Sequence, residues 1–505
     1  MSTNATFNLD GAELKKRSKA QLIQLVLEQG AALDVQAKVI KEKANKILEL
    51  AEQLAKFNHE RDELKNKEIN KAVNKPSSKK PEWDKDGNPN RGKKKPKGKR
   101  TKRAGCGNRS KSTLIPEGTN HTELNTCPDC ATDLSDQQGK QKSSRIVEDI
   151  EPPRKNTRVT DETVETKWCP KCKKMVSSKT EKALPGSDIG IHAMIEMAYL
   201  WVMCSLSLPN IQAFFNNFKT MTVSTAGISK IMIRLSKILE PVYEEILNEV
   251  KQGMAIWADE TGWRVNGKLW WLWIFANKRS AYYWPDESRG SQVVEKILGP
   301  IFYGIIMVDG WHAYNKLLCS RQTCMAHIFR KIRAFIDAYP QYRTLMQFYL
   351  KLRRIIRDGE KLQALGGELD EISFHRKLKK LRRRLDDLLA WKNPNAILRD
   401  VIEKVRRQQD HILTFVAHGE GEHHNNYGEY VIKKGVLKRK VSGGSKSADG
   451  VHAYAVIQSI AMTCHLRKLS FCDFLKESLL QYIRKGKPML LVEYEAIRQT
   501  ESKAA

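Results

Sequence analysis

The stretch MAIWADETGWRV, Met254 to Val265, decides how the chain folds. Its Ile, Trp, Thr and Val favour a strand, yet Asp259 and Glu260 stand side by side in the middle of it. KLWWLWIFAN and SAYYWPDE follow, separated by the turn signals NGK and NKRS, so three antiparallel strands are expected. The helical segment SQVVEKILG then precedes a second apolar run, YGIIMVDGWHAY, in which Asp309 follows the apolar residues. Three strands, a crossover helix and a fourth strand predict a mixed α/β sheet. Asp259 falls inside the first strand and Asp309 at the end of the fourth, so neighbouring pairing would bring the two acids together.

Two carboxylates held close repel, and one takes up a proton unless a cation neutralises both. Mg²⁺ suits such a pair, because it prefers hard oxygen ligands and is held by one or two carboxylates plus substrate phosphate. Two such ions roughly 4 Å apart activate an attacking hydroxyl and stabilise the leaving oxygen of a phosphoryl displacement. That chemistry requires a third acid. From composition alone, an Asp at a strand end is more often a turn or cap residue.

The bulk composition agrees with a polyanionic partner. Lys and Arg number 88 against 58 Asp and Glu, a formal net charge of +30, which favours nucleic acid over an anionic membrane. At 505 residues the chain exceeds what one core serves, so several units are expected. The opening MSTNATFNLDGAELKK does not read as a secretion signal, which gives a cytoplasmic expectation. The most apolar segment, Met194 to Ile211, is too short and too interrupted to span a membrane and reads as a buried helix.

Outward from the sheet, residues 1–70 show apolar positions at steps of three and four, including Ile23, Val26, Leu33, Ile40, Ile47 and Leu54. This pattern suggests a coiled coil that pairs protomers, or an amphipathic helix lying on its own chain. Residues 71–110 form a basic linker without a core; Lys93, Lys94, Lys95, Lys97, Lys99 and Arg100 could bind phosphates, or form a solvated tail. In 111–180, CPDC and CPKC place Cys127, Cys130, Cys169 and Cys172 as four thiolates for a structural Zn²⁺. The 38 residues between the knuckles exceed the usual spacing, and two unrelated reduced pairs or a redox dithiol are the competing readings. Residues 181–250 read as helices before the core, either a groove-reading helix-turn-helix or core packing, with packing favoured. The tryptophans of the strands are assigned mainly to core packing.

WADETGWRVNGKLWWLWIF, DESRGSQVVEKILG, GIIMVDGWHAYNKL and RQTCMAHIFRKIRAF occur in the order and near the spacing of transposases of the IS66 family. The chain resembles that family over most of its length. The resemblance implies a DDE transposase: a multidomain α/β protein whose RNase H-like mixed sheet core carries a helical insertion and follows a coiled coil, basic linker and zinc unit. It implies that Asp259, Asp309 and a Glu hold two Mg²⁺ ions, with Mn²⁺ as a substitute. The family writes the third acid as two asparagines, two residues, then Glu; NNYGEY selects Glu429 over Glu420 and Glu422. His327 matches a family position, although a lone His on a helix is more often a structural hydrogen-bonding residue than a ligand; Arg330 beside it could reach a phosphate, and Trp311 beside Asp309 is the tryptophan expected to face DNA. Tyr430 and Lys446 depart from the family pattern.

Core segments are then expected at 251–335 and 420–465, the insertion at 336–419 and a tail at 466–505. The implied activity is binding of terminal inverted repeats, cleavage of the ends and strand transfer to target DNA. Double-stranded DNA, a homodimer or higher oligomer and accessory proteins of the same element are the implied partners, and the nucleoid the place of action. The competing class is an inactive or domesticated zinc-containing DNA-binding protein.

Overall fold

A computed structural model describes residues 18–73, 129–136, 157–171, 173–393 and 395–504. The chain falls into two compact units. Residues 1–85, 329–350 and 391–404 belong to one, and residues 86–328, 351–390 and 405–505 to the other.

The first unit contains α1 (Lys19–Val73), one continuous helix along which Ile23, Val26, Leu33, Ile40, Ile47 and Leu54 are all exposed. Elsewhere in this unit Phe329 meets Tyr349 edge-on at 5.6 Å, and the Lys404 ammonium lies 4.9 Å from the centre of the Phe335 ring.

The second unit contains a two-stranded antiparallel ribbon, β1 (Thr166–Cys169) and β2 (Lys174–Ser177), in which Cys169 pairs with Lys174. Three helices follow: α2 (Ile191–Val202), α3 (Leu208–Phe218) and α4 (Thr225–Lys251). Ser207 and Ser224 cap α3 and α4 by accepting the backbone N–H three residues on. Their apolar faces are spent on packing, as Ile195, Ile211, Ile228, Leu239 and Ile246 are all buried. The Met194–Ile211 segment is thus a buried helix and the start of the next, and among the described residues no helix is long and apolar enough to cross a membrane.

The sheet starts at a two-residue turn. Asn266 and Gly267 both have positive φ, 46° and 79°, which is what a type I′ hairpin requires. It joins β3 (Ala255–Val265) to β4 (Lys268–Ala276), and β5 (Ala281–Asp286) extends the antiparallel part. The crossover helix α5 (Ser291–Leu298) leads to β6 (Ile301–Val308), which pairs with β3 in parallel. A 3₁₀ turn (His312–Lys316) then leads to β7 (Leu318–Thr323), parallel to β6, giving the order β5-β4-β3-β6-β7. The central strand, β3, is the one that carries Asp259 and Glu260.

Beyond the sheet come α6 (Met325–Ala338), α7 (Arg343–Ala364), α8 (Glu371–Leu389), α9 (Ala396–Arg406) and α10 (Thr414–His418). The chain then returns through α11 (Asn426–Ser442) and α12 (Ala448–Leu466), and closes with α13 (Phe471–Lys485) and α14 (Leu491–Ala504). Helix α12 is buried on almost every side, packed against both α4 and β5, and so its sequence lacks an amphipathic stripe. Helix α11 packs on β3 and β4, and a Cβ on Gly435 would come within 2.8 Å of the Leu272 side chain. A side chain there would force the Leu272 side chain or the helix to shift.

Two lysines of α11 hold the end of α2. Lys434 Nζ donates to the Met203 carbonyl at 3.1 Å, and Lys438 Nζ to those of Trp201, at 3.1 Å, and Leu206. A cation on the last carbonyls of a helix also opposes its dipole. Lys438 is only 2% exposed, and this burial pushes its ammonium down to about 7. The unfolded chain keeps that proton to about pH 10.4, so from about 7 upward it binds a proton the fold releases, and stability rises with pH over that window. Lys438→Met is expected to abolish this rise. Urea unfolding of both chains across the window checks it, and a stability difference between them that does not change with pH would count against it.

Candidate active site

The parallel register pairs Ala255 with Ile305, Ile256 with Ile306 and Trp257 with Met307. Asp259 and Asp309 each lie two residues beyond the last of these pairs, so the strands deliver both acids to the same level, as their positions in the sequence lead one to expect. The pleat sends neighbours to opposite faces. On the face of Asp259, Trp257 packs edge-on against Tyr427 of α11 at 5.0 Å and Trp263 stacks on Tyr454 of α12 at 5.1 Å. On the other face, Glu260 accepts Arg289 Nε at 2.9 Å and Nη2 at 2.7 Å on Oε1, and the Tyr314 hydroxyl at 3.1 Å on Oε2. Its side chain is 1% exposed. The two adjacent acids therefore have separate surroundings.

Glu429 comes from the first turn of α11, and the residue that opens that helix fixes it in place. Asn425 is buried; its Nδ2 donates to the carbonyl of Ala258 at 2.8 Å, and its backbone N–H to the sulfur of Cys324 at 3.1 Å. This ties the start of α11 to β3 one residue before Asp259. Glu429 Oε1 is buried and accepts no hydrogen bond among the described residues, with His327 Nε2 3.8 Å away. Glu422 is engaged elsewhere, by Lys278 at 2.9 Å and His424 Nδ1 at 3.3 Å.

The charges of these groups are coupled. Asp259 keeps some exposure at the surface, but protein surrounds its carboxyl. Burial first, then the charges of Glu260, Asp309 and Glu429, push it well above the usual carboxylate range, against one hydrogen bond from the Glu260 backbone N–H at 2.8 Å. Glu260 is also raised, by burial and then Asp309, while Arg289 and Tyr314 oppose the shift. Among the described residues no three His, Cys, Asp or Glu side chains close into a metal-holding cluster. The acids nonetheless offer hard oxygen donors, an uncompensated negative charge and a buried oxygen without a donor. Such a donor set fits a divalent cation.

Trp311 is half-buried; its backbone N–H donates to Asp309 Oδ1 at 2.9 Å and its indole N–H to the Arg289 carbonyl at 3.3 Å. His327 lies on α6 facing Glu429, and Arg330 is one turn further along the same helix. Of the cysteines expected to share zinc, Cys130 and Cys169 are described, whereas Cys127 and Cys172 lie outside the described residues, as do Lys93, Lys94, Lys95, Lys97, Lys99 and Arg100. Arg289, Tyr314, Asn425 and Cys324 have no role that the sequence by itself reveals. Only Asn425, first of the paired asparagines, carried a visible signal; the others become partners through the fold.

A five-stranded mixed sheet with acids on adjacent parallel strands and helices packed on it fits the core of a DDE transposase. The family model described as Transposase IS66 family matches residues 194–453, just over half of the chain, and the protein belongs to that family. The match includes every strand of this sheet and Glu429. No curated protein matches the chain.

Because the fold disfavours ionised Asp259, stability falls as pH rises from the unfolded carboxylate value through the raised native one. Asp259→Asn keeps the oxygen that accepts the Glu260 N–H and removes the charge. In metal-free buffer at neutral pH it is expected to stabilise the fold, by on the order of 1 kcal/mol. A thermal melt lower than that of the native chain would overturn this.

Proposed function

We propose that the protein is a DNA transposase in which Asp259, Asp309 and Glu429 hold two Mg²⁺ ions, with Mn²⁺ able to substitute. It would bind the terminal inverted repeats of its element, cut the DNA there to free a 3′-hydroxyl, and join that hydroxyl to target DNA. The observation that carries this reading is the parallel register that delivers Asp259 and Asp309 to the same level of the sheet, with the helix that bears Glu429 tied at its start to β3 at Ala258. The strand order, with the second strand antiparallel to the rest, supports an RNase H-like core.

Bound among these acids, the ions would supply the charge that steadies the attacking and leaving oxygens of an in-line phosphoryl displacement. The chain's own residues do the rest. Trp311 holds the Asp309 carboxylate through its backbone N–H, Asn425 sets the start of the helix that bears Glu429, and His327 faces the free oxygen of Glu429.

A cationic surface supports DNA as the partner. On α8, Leu378, Leu381, Leu385 and Leu388 are buried, while Arg376, Lys379, Lys380 and Arg383 lie exposed on the opposite stripe. None of these four forms an ion pair among the described residues. The exposed seam of α1 supports pairing of protomers, which would join two element ends in one complex. The zinc unit, the basic linker and helices α2 to α4 are assigned to holding those ends, possession of accessory partners and action at the nucleoid being part of the same reading.

The test is a Mg²⁺-dependent cleavage and joining assay on DNA carrying the sequences that flank the gene. Asp259→Ala, Asp309→Ala and Glu429→Ala are each expected to lower the rate at least about a thousandfold while leaving DNA binding intact. Binding without cleavage by the native chain would favour a DNA-binding protein without turnover. A second measurement concerns α8: with Arg376, Lys379, Lys380 and Arg383 all changed to Gln, the slope of log affinity against log salt should shrink by about 2–4. An unchanged slope would mean that this stripe is only solvated.

A further inference from the structure

Arg289 is held more firmly than the neutralisation of one carboxylate requires. Nε and Nη2 fork onto the same oxygen of Glu260. The guanidinium also lies over two indoles, its carbon 3.8 Å from the Trp311 ring centre and 4.5 Å from that of Trp271. Trp311 in turn is tied to the Arg289 carbonyl and to Asp309. The side chain remains 32% exposed, and Nη1, which is not buried, donates to no group among the described residues. The Glu260–Arg289 pair is therefore a fixed dipole, its negative end buried and its positive edge open to solvent. That edge stands on the Asp309 side of the site, because the Trp311 ring it lies against belongs to the residue whose backbone N–H holds the Asp309 carboxylate.

We propose that Arg289 is a phosphate-binding residue of the site: through Nη1 it holds a non-bridging oxygen of the DNA strand, at a linkage close to the one being cut. The assignment rests on the transposase reading. Three carboxylates repel a phosphodiester, and a cation that is always charged offsets this repulsion at the entrance. A guanidinium fixed in its plane loses little freedom on binding, and its remaining N–H groups bond a phosphate oxygen directionally. Neutralising Glu260 alone would not call for an Arg in the open, since a buried apolar pair is commonly as stable as a buried ion pair.

The experiment uses DNA whose cut linkage has been mapped with the native full-length chain. Single linkages on either side are replaced in turn by uncharged methylphosphonate. With the native chain, one linkage near the cut is expected to lower cleavage by about tenfold or more when it is neutralised. The variant Glu260→Gln/Arg289→Gln, which keeps a neutral hydrogen-bonding pair, is expected to be slower on unmodified DNA by a similar factor and indifferent to neutralisation of that linkage. A merely structural role would slow cleavage without changing the linkage profile, and that result would overturn the proposal. Should the paired variant fail to fold, Trp311→Leu leaves the fork on Glu260 intact and frees the plane of Arg289. It is expected to blunt the effect at that one linkage, and an unaltered profile would again overturn the proposal. A native chain that cuts no DNA sinks the transposase reading and this inference together, whereas cutting with a profile shared by native chain and variants sinks the inference alone.

Discussion

Placing carboxylates inside an apolar, tryptophan-rich sheet is the constraint on which the rest of the structure depends. An ionised group there loses its water, and the cost falls only if a cation or hydrogen bonds replace it. The protein meets this cost differently for its two adjacent acids. Glu260 is satisfied internally by Arg289 and Tyr314. Asp259 receives one backbone hydrogen bond and faces two further acids, so its charge is left for something the chain does not itself supply.

This division explains why the strand reads as it does. A one-residue shift in register would exchange the surroundings of Asp259 and Glu260, leaving the wrong acid neutralised. The type I′ turn at Asn266 and Gly267 holds the antiparallel register with β4, and the parallel pairs with β6 hold that with Asp309. The tryptophans serve the same end. Trp257, Trp263 and Trp273 are nearly inaccessible and act as packing, whereas Trp271 and Trp311 remain partly open where they flank Arg289.

Local pattern sufficed for four of the five strands of the sheet, the turn, the crossover helix and the common level of Asp259 and Asp309, because each depends on residues close in the chain or on one neighbouring pairing; β7, short and polar at Ser320, Arg321 and Gln322, carried no such signal. Glu429 was different. A long helical insertion separates it from Asp309, so spacing alone could not choose it from Glu420 and Glu422; the choice came from the asparagine pair and the family resemblance. Asn425 gives that pair a physical role, since its side chain reaches the backbone of β3. Arg289 was not recognisable beforehand. It lies in a turn after β5, and only the fold places it over two indoles and against Glu260. Lys438 looked like one cation among many, and its burial against the end of α2 depends on contacts more than two hundred residues away in sequence.

Glu429 comes from a helix rather than a strand, and this bears on how it is held. Asp259 and Asp309 are fixed by the hydrogen-bonded ladder of one sheet, but Glu429 is placed only as well as α11 is seated. Contacts along its length seat it. Asn425 binds Ala258 at one end, Arg439 Nη1 donates to Thr261 Oγ1 at 2.9 Å and to the Gly262 carbonyl at 2.8 Å further along, and Gly435 allows close approach to Leu272 between them. On its outer side, Lys434 and Lys438 anchor the same helix to the end of α2. The helices that precede the sheet thus bear on the position of Glu429 through α11, and a displacement of α2 would reach Glu429 before it reached either aspartate.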